Sequence, residues 1–424
     1  MGGFNFVCTF FCWFYVFCLE RVEGFCFSRQ GRVNAKALVF AWECGQSDRS
    51  MNDIVSNENS AVLVISPENW GAHTVSKHHY AMALAERGVK VFFLNPPDDS
   101  LSAIKVDFAC NLPNLYVISA PKFATGLRFY PGWLRQWLEA RWLNQLEKHV
   151  GVKISVIWSF ENSRFFNMNF AGNRLKIYHQ VDLNQDFQVE TAAKTADICF
   201  TTTDFIGQRL QTYNSRVYKI HHGVSILRDA LDLSVSMTKN FMSAKAHVGY
   251  IGNLDICYLD VPLLSGLVKA FPDVIFHFVG NYRKDGQLYL ACSDASNVVW
   301  WGQVESRMIP AIVNRCDILL VTYLAEAYRE QLASPHKMME YLASGKTIVA
   351  TYTDEYKDKR HLLEMVDSYS VFPGTFATVV ENLDEYNSAE KQAVRVKYAL
   401  EHSYDRQLDK IMNLLKEHDL DEKL

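Results

Sequence analysis

The chain lacks the marks of several protein classes, and each absence narrows its role. It has no basic surplus: 43 Lys and Arg stand against 47 Asp and Glu, a formal charge of −4. That balance argues against a general nucleic-acid binder. It has no Cys-x2-Cys pair and no His/Cys spacing of the zinc-binding kind, although cysteine itself is plentiful at ten residues. Five of the ten fall within the first 44 residues; Cys110, Cys199, Cys257, Cys292 and Cys316 stand singly, mostly in apolar surroundings. Such a scatter reads as reduced core thiols of a cytosolic protein. Phe4–Leu19 is uncharged and aromatic, but its 16 residues fall short of the roughly 20 that a membrane-spanning helix needs. It also has no basic leading region and no small-residue cleavage site, so it makes a poor signal peptide. Residues 1–60 are read as a non-core extension. Met51, or a start close to it, is expected to begin the functional protein, with the upstream piece an overextended reading frame; a genuine membrane-anchoring segment is the rival reading.

What is present is core material. Apolar residues make up 49% of the chain and aromatics 13%, and 424 residues suit two α/β domains. The charge is uneven: residues 121–180 carry nine Lys/Arg against three Asp/Glu, while 221–424 carry 21 against 28. A basic first half points to an anionic partner for that half. From Ala61 onward, apolar β-rich runs alternate with helical patterns: Ala61–Ser66, a helix from about Val75 to Arg87, then Val89–Leu94. Further runs are Leu115–Ser119, Ile154–Ser159, Leu175–His179, Ile198–Thr202 and Val217–Ile220, and the longest helix spans Gly132 to about His149. Runs apolar on both faces imply a mostly parallel sheet covered on both sides. Residues 225–245 are polar and read as a linker. The alternation restarts at Val248–Ile251 and continues through Ile275–Val279, Val298–Trp301, Ile318–Tyr323, Thr347–Thr351 and Tyr369–Phe372. The expected architecture is therefore α/β, two Rossmann-like doubly wound domains (61–224 and 246–388) facing a cleft. A charged helical stretch over 389–424 would be free to cross back to the first domain.

Residues 334–351 carry the most chemistry. Ser334 is a good N-cap, Pro335 suits a first helical turn, and Met338, Met339, Leu342 and Ala343 follow at helical spacing until Gly345 stops the helix. Lys337 in the first turn is unfavourable in an isolated helix, and a bound phosphate would remove the conflict. Glu340 shares its face and can accept hydrogen bonds from hydroxyls. One cation and one acceptor suit a nucleotide, diphosphate at Lys337 and ribose at Glu340. A plain surface i,i+3 ion pair is the alternative.

Taken in order, these segments resemble the GT-B glycosyltransferases of group 1, nearest to the bacterial enzymes of polysaccharide and teichuronic-acid assembly. The resemblance covers about residues 61 to 410. It rests on Ser66-Pro67-Glu68-Asn69-Trp70-Gly71 through His78-His79-Tyr80, on Ile220-His221-His222-Gly223-Val224, on Gly249-Tyr250-Ile251-Gly252-Asn253-Leu254, on Phe278-Val279-Gly280 and on Ser334–Thr351. It implies that the second domain binds a nucleotide sugar through Gly252, Asn253, Ser334, His336, Lys337 and Glu340. It implies that the first binds the acceptor, with Gly71, His78, His79 and His222 on the sugar side. The chain departs from the pattern in two places. Many relatives carry a glutamate eight positions before Glu340, where this chain has Leu332, and no Arg/Lys pair follows Gly252-Asn253. Both departures put the usual retaining mechanism in doubt.

An inverting transfer needs a general base near the acceptor hydroxyl. Asp182 after one strand comes first, then Glu161 after another, then Glu68 in the first loop; for each the alternative is a loop carboxylate capping a helix. The helix with Trp133, Trp137 and Trp142 alternates them with Arg135 and Arg141, and region 121–149 has two readings. One docks it on an anionic bilayer, which would suit a lipid-linked acceptor; the other packs the tryptophans inward. Asp419-Leu420-Asp421 spells the acidic triplet of metal-dependent transferases but lies in a charged tail, so neither a metal nor a cofactor is expected. The function these features favour is transfer of a sugar from a nucleoside diphosphate to a saccharide or lipid-linked saccharide, at the cytosolic face. A nucleotide-sugar 2-epimerase of the same fold and a non-catalytic saccharide- or nucleotide-binding module are the alternatives.

Overall fold

The computed structural model describes residues 60–71, 74–109, 112–183, 187–225, 232–330, 332, 334–335 and 337–423. The reading of Met51 as the start, the extension before residue 60 and the site residue His336 lie outside the described residues. The chain forms two compact units. One takes in the described residues of Ile54–Ile226, Glu326–His336 and His402–Leu424, the other those of Leu227–Ala325 and Lys337–Glu401.

The first unit is built on eight strands: β1 (Ser60–Ile65), β2 (Val91–Leu94), β3 (Lys105–Phe108), β4 (Leu115–Ser119), β5 (Lys153–Ser159), β6 (Leu175–Gln180), β7 (Ile198–Thr201) and β8 (Val217–Lys219). Their order is β3-β4-β2-β1-β5-β6-β7-β8. All pair in parallel except β3, which runs antiparallel to β4. Leu63 in β1 sits opposite Phe92 of β2 and Ile157 of β5. The connections leave β1 in opposite directions, which opens a crevice at the carboxyl ends of the strands, where sheets of this kind bind ligands. Helix α1 (Ser76–Glu86) covers one face with Tyr80 and Leu84, and helix α2 (Gly132–Val150) covers the other with Trp142, Leu143 and Leu146. Gly151 ends α2 in the left-handed region at φ 71°, where a residue without a side chain costs least.

The second unit holds β9 (Ala246–Ile251), β10 (Val274–Val279), β11 (Val298–Gly302), β12 (Ile318–Val321), β13 (Thr347–Thr351) and β14 (Glu364–Val366). They form a sheet in the order β11-β10-β9-β12-β13-β14, parallel throughout. Helix α3 (Lys337–Ala343) lies between β12 and β13 in the chain.

Four expectations need correction. Tyr369–Phe372 is not a strand: a 3-10 turn over Tyr369–Val371 leads into a helix at Phe372 whose second residue is Pro373, and a proline fits there because its missing N–H is unused. The last strand is instead the short Glu364–Val366. Helix α3 starts at Lys337, so Ser334 and Pro335 precede it. The final stretch is two helices, α4 (Ala389–Glu401) and α5 (Tyr404–Glu417), with Ser403 capping α5 through the Arg406 amide. Leu408, Ile411 and Leu415 of α5 join the core beside α1, each contributing about 1.5–3 kcal/mol of burial. Cys199, Cys292 and Cys316 are buried free thiols, but Cys257 is exposed.

Candidate active site

The carboxyl ends of β9 and β10 meet backbone to backbone. The Gly252 amide donates to the Val279 carbonyl at 2.8 Å. A Cβ on Gly280 would lie 2.0 Å from the Gly252 carbonyl oxygen, so only glycine fits, and its φ of +137° demands the same. The Asn253 side chain accepts the Asp255 amide at 3.0 Å, and Asp255 accepts the Arg283 amide at 2.7 Å, which locks the two loops together.

Lys337 comes to these glycines from α3. A Cβ on Gly252 would lie 2.9 Å from its Nζ. The ammonium sits 3.7 Å above the Tyr250 ring and 5.1 Å from that of Tyr323, an arrangement that attracts a cation electrostatically. It is out of reach of solvent and makes no hydrogen bond. Burial pulls its pKa down to about 7, with the charge of Glu340 opposing. A buried cation without an anion is costly, and a ligand anion would remove the cost. Glu340 lies on the next turn and is exposed. Tyr341 fixes the helix by accepting the Ile251 amide at 2.9 Å. The structure therefore brings Gly252, Lys337 and Glu340 together, with Asn253 beside them closing its own turn; Ser334 is half-buried and belongs to the other unit. Tyr250 and Gly280 fall in segments that carry the resemblance, but their part in the site, like that of Tyr323, escapes sequence reading, because contacts between strand ends leave no mark in the pattern.

The other candidates belong to the first unit. Glu68 pairs with Lys77, which is buried. Both oxygens of the buried Glu161 are engaged, one by the Ser163 hydroxyl and the other by Arg164 Nε at 2.5 Å. Asp182 is half-buried two residues after β6. Gly71 is exposed with open space around it. His78 is fully buried: Nδ1 accepts the Val75 amide, Nε2 meets the Asn69 carbonyl, and Trp70 and Phe93 flank the ring. Its pKa is lowered, chiefly by burial. His79 stacks on Tyr404 of α5 at 4.6 Å. The Tyr404 hydroxyl bonds to Ser76, which bonds to His222 Nδ1 at 3.3 Å. The three histidines thus pin the first loop and the last helix to α1.

Residues 246–381 match the model of the family described as glycosyl transferases group 1. The chain carries a group 1 glycosyl transferase domain. Over 178 residues it is 24% identical to the putative teichuronic acid biosynthesis glycosyltransferase TuaH of Bacillus subtilis (strain 168), a stretch that covers 38% of this chain and 43% of that protein. The chain thus spans under half the length of this curated relative. Solved structures extend the likeness in fold to most of the chain. An OtsA apo structure superposes with a TM-score of 0.61 at 11% identity, over 84% of this chain and 99% of that one. Sucrose-phosphate synthase from Thermosynechococcus elongatus gives 0.62 at 11% identity, over 85% and 99%. Anabaena HepE in complex with UDP and glucose gives 0.59 at 14% identity, over 83% and 99%. The fold is GT-B: two mostly parallel sheets flanked by helices, the second of them lying within the glycosyl transferase domain.

Proposed function

We propose that the chain moves a sugar from a nucleoside diphosphate to a hydroxyl of a saccharide. The observation that carries this is the unpaired Lys337 ammonium held against Gly252 by the Tyr250 ring. In this reading the diphosphate lies on Lys337, which neutralises the charge that grows on the leaving group, the largest electrostatic demand of the reaction. Gly252 and Asn253 border the phosphates, Glu340 accepts from the ribose hydroxyls, and Ser334 and His336, which precede Lys337 in the sequence, are the further donor-side candidates. Lys337 supplies the positive charge, so no metal enters the scheme. Asp182, two residues after β6, takes the acceptor proton in this reading. The bound UDP and glucose in HepE support a nucleotide-sugar donor. The teichuronic acid assignment of TuaH supports a saccharide acceptor in cell-surface polysaccharide synthesis, and in this reading that acceptor is lipid-linked.

An acceptor of that kind places the protein at the inner face of a membrane. Helix α2 buries Trp142 but exposes Trp133 and Trp137 at 72% and 54%, and Phe129 just before it is exposed at 77%. Arg141 lies 5.6 Å from the Trp137 ring. Aromatics beside cations suit an anionic bilayer surface. No described helix is long and apolar enough to cross a membrane.

The test follows nucleotide release by the full chain, offered a panel of nucleotide sugars with and without lipid-linked saccharides. The transferase reading expects release that requires acceptor and vanishes in Lys337→Ala. Conversion of the nucleotide sugar without any acceptor would point to an epimerase, and binding without turnover to a recognition module.

A further inference from the structure

Each sheet ends in two edge strands, β3 and β8 in the first unit, β14 and β11 in the second. An exposed edge offers free N–H and C=O groups to another strand, and short length, charge and proline are the usual protections. Three of these edges are protected. β3 carries Lys105 and Asp107, β8 is three residues long and ends in Lys219, and β14 is three residues long and opens with Glu364. β11 is not. Val298-Val299-Trp300-Trp301-Gly302 has no charge and no proline, and all five residues are half-buried.

Pairing with β10 fixes which backbone groups of this edge are free. The Phe276 amide donates to the Asn297 carbonyl at 2.8 Å, so Asn297 faces β10 and, by alternation, Val299 does too. The N–H and C=O groups of Val298 and Trp300 therefore point away from the sheet, and among the described residues they meet no backbone partner. The register shift between the two strands comes after Trp300, opposite Val279, and leaves this stretch regular.

Apolar side chains frame the edge on both faces. On one, Trp300 lies 5.0 Å from Tyr282 and from Tyr289, and Leu290 beside Tyr289 is 64% exposed. On the other, Trp301 lies 5.9 Å from Phe241 and donates to His277 Nδ1 at 3.1 Å, and Met242 beside Phe241 is 61% exposed. Fixed indoles at an uncharged edge are the material of a protein interface.

The free groups are their own complement. In an antiparallel pair turned about an axis through Val299, Val298 of one copy lies opposite Trp300 of the other, and each such pair exchanges both N–H···O bonds. The charges agree. In that register Asp294 falls opposite Val304, Glu305 opposite Ser293 and Arg307 opposite Ala291, so no charge meets its like. We propose that two copies of this chain associate edge to edge through β11, joining their second sheets into one. The association stands whether or not the chain transfers sugar.

Sedimentation velocity on the full chain from about 1 to 200 µM tests it, a range suited to a small interface. Wild type should pass from monomer toward dimer as concentration rises. Val298→Pro deletes an outward N–H that the fold does not use, which an edge strand tolerates. It should weaken the dimer about 30-fold or more through the backbone bonds it removes. Val299→Lys and Val299→Glu each put like charges face to face across the axis, so each alone should stay monomeric. Mixed in equal amounts they should form a heterodimer, which misfolded variants could not do, so this pair decides even where Val298→Pro melts early. Three results would overturn the proposal: monomeric wild type throughout, a folded Val298→Pro that dimerises as wild type does, or Val299→Lys and Val299→Glu that stay monomeric when mixed.

Discussion

Among the described residues, each sheet carries a buried ionisable group whose charged atoms make no hydrogen bond, and the two are opposite in sign. In the second unit it is an ammonium, Lys337, set among tyrosine rings and strand-end glycines. In the first it is a carboxyl, Glu139 of α2, set among phenylalanines and a tryptophan and facing Arg135 Nε at 3.8 Å. Burial moves both toward neutrality from opposite directions, Lys337 down to about 7 and Glu139 up to about 7. Similar scaffolds therefore carry different chemistry. The ammonium is closed in by strand-end backbone, and the proposed function brings it a ligand anion; the carboxyl has its counter-charge one turn away on its own helix.

The comparison breaks first at the backbone. Gly280→Ala puts a Cβ into the Gly252 carbonyl and should cost about 3 kcal/mol or more, with loss of nucleotide binding; urea midpoints and calorimetry check both. Glu139→Leu should stabilise by about 1–3 kcal/mol, the cost of an unsatisfied buried polar group, since Arg135 keeps its place over the Phe166 ring; a lower melting temperature would mean that the ion pair outweighs that cost. The two groups also tilt stability with pH in opposite senses. Glu139, raised in the folded state, holds its proton while the unfolded chain has lost it. It thus contributes stability that falls away as pH rises from about 4 to about 7. Lys337, lowered in the folded state, lacks a proton that the unfolded chain keeps, so stability climbs from about pH 7 to about pH 10. Melting curves across pH should lose the first slope in Glu139→Leu and the second in Lys337→Met. The smallest effect belongs to His179, fully buried among Tyr80, Trp158, Phe160 and Phe200, with both ring nitrogens unpartnered and its pKa lowered to about 3 by burial. His179→Phe should add about 1 kcal/mol. It should also flatten the loss of stability between about pH 6.5, where the unfolded histidine begins to charge, and pH 3. No change on either count would mean that the ring has a partner in solution.

Continuous apolar runs such as Ala61–Ile65 and Thr347–Thr351 are legible because a strand buried on both faces leaves no polar alternation. Helix α2 is legible from its spacing and from Gly151. The edge strand β3 is not: Lys105, Asp107 and Phe108 face solvent, so nothing in the pattern marks them. Tyr369–Phe372 looks like a strand because it is aromatic and β-branched, and Pro373 is the sign that a helix starts there instead. Lys337 is legible as a charge conflict at a helix start, but the rings that hold it come from strands some 14 and 87 positions away, Tyr323 and Tyr250. Glu139 reads as an ordinary helical acid, since its burial depends on which face of α2 meets the sheet. The histidines at 78, 79 and 222 attract functional interest from their chemistry, and only the fold reveals their bonds to backbone, to Ser76 and to Tyr404.

Titration calorimetry of the full chain with nucleoside diphosphates decides whether Lys337 is the diphosphate anchor. Run above pH 7 in two buffers of different ionisation enthalpy, wild type should bind and take up a proton, because the bound anion restores the charge that burial suppresses. Lys337→Met, folded by its melting curve, should lose about 100-fold or more in affinity, roughly 2.7 kcal/mol, together with the proton uptake. Equal affinity in Lys337→Met, or binding by wild type with no proton uptake, would contradict it.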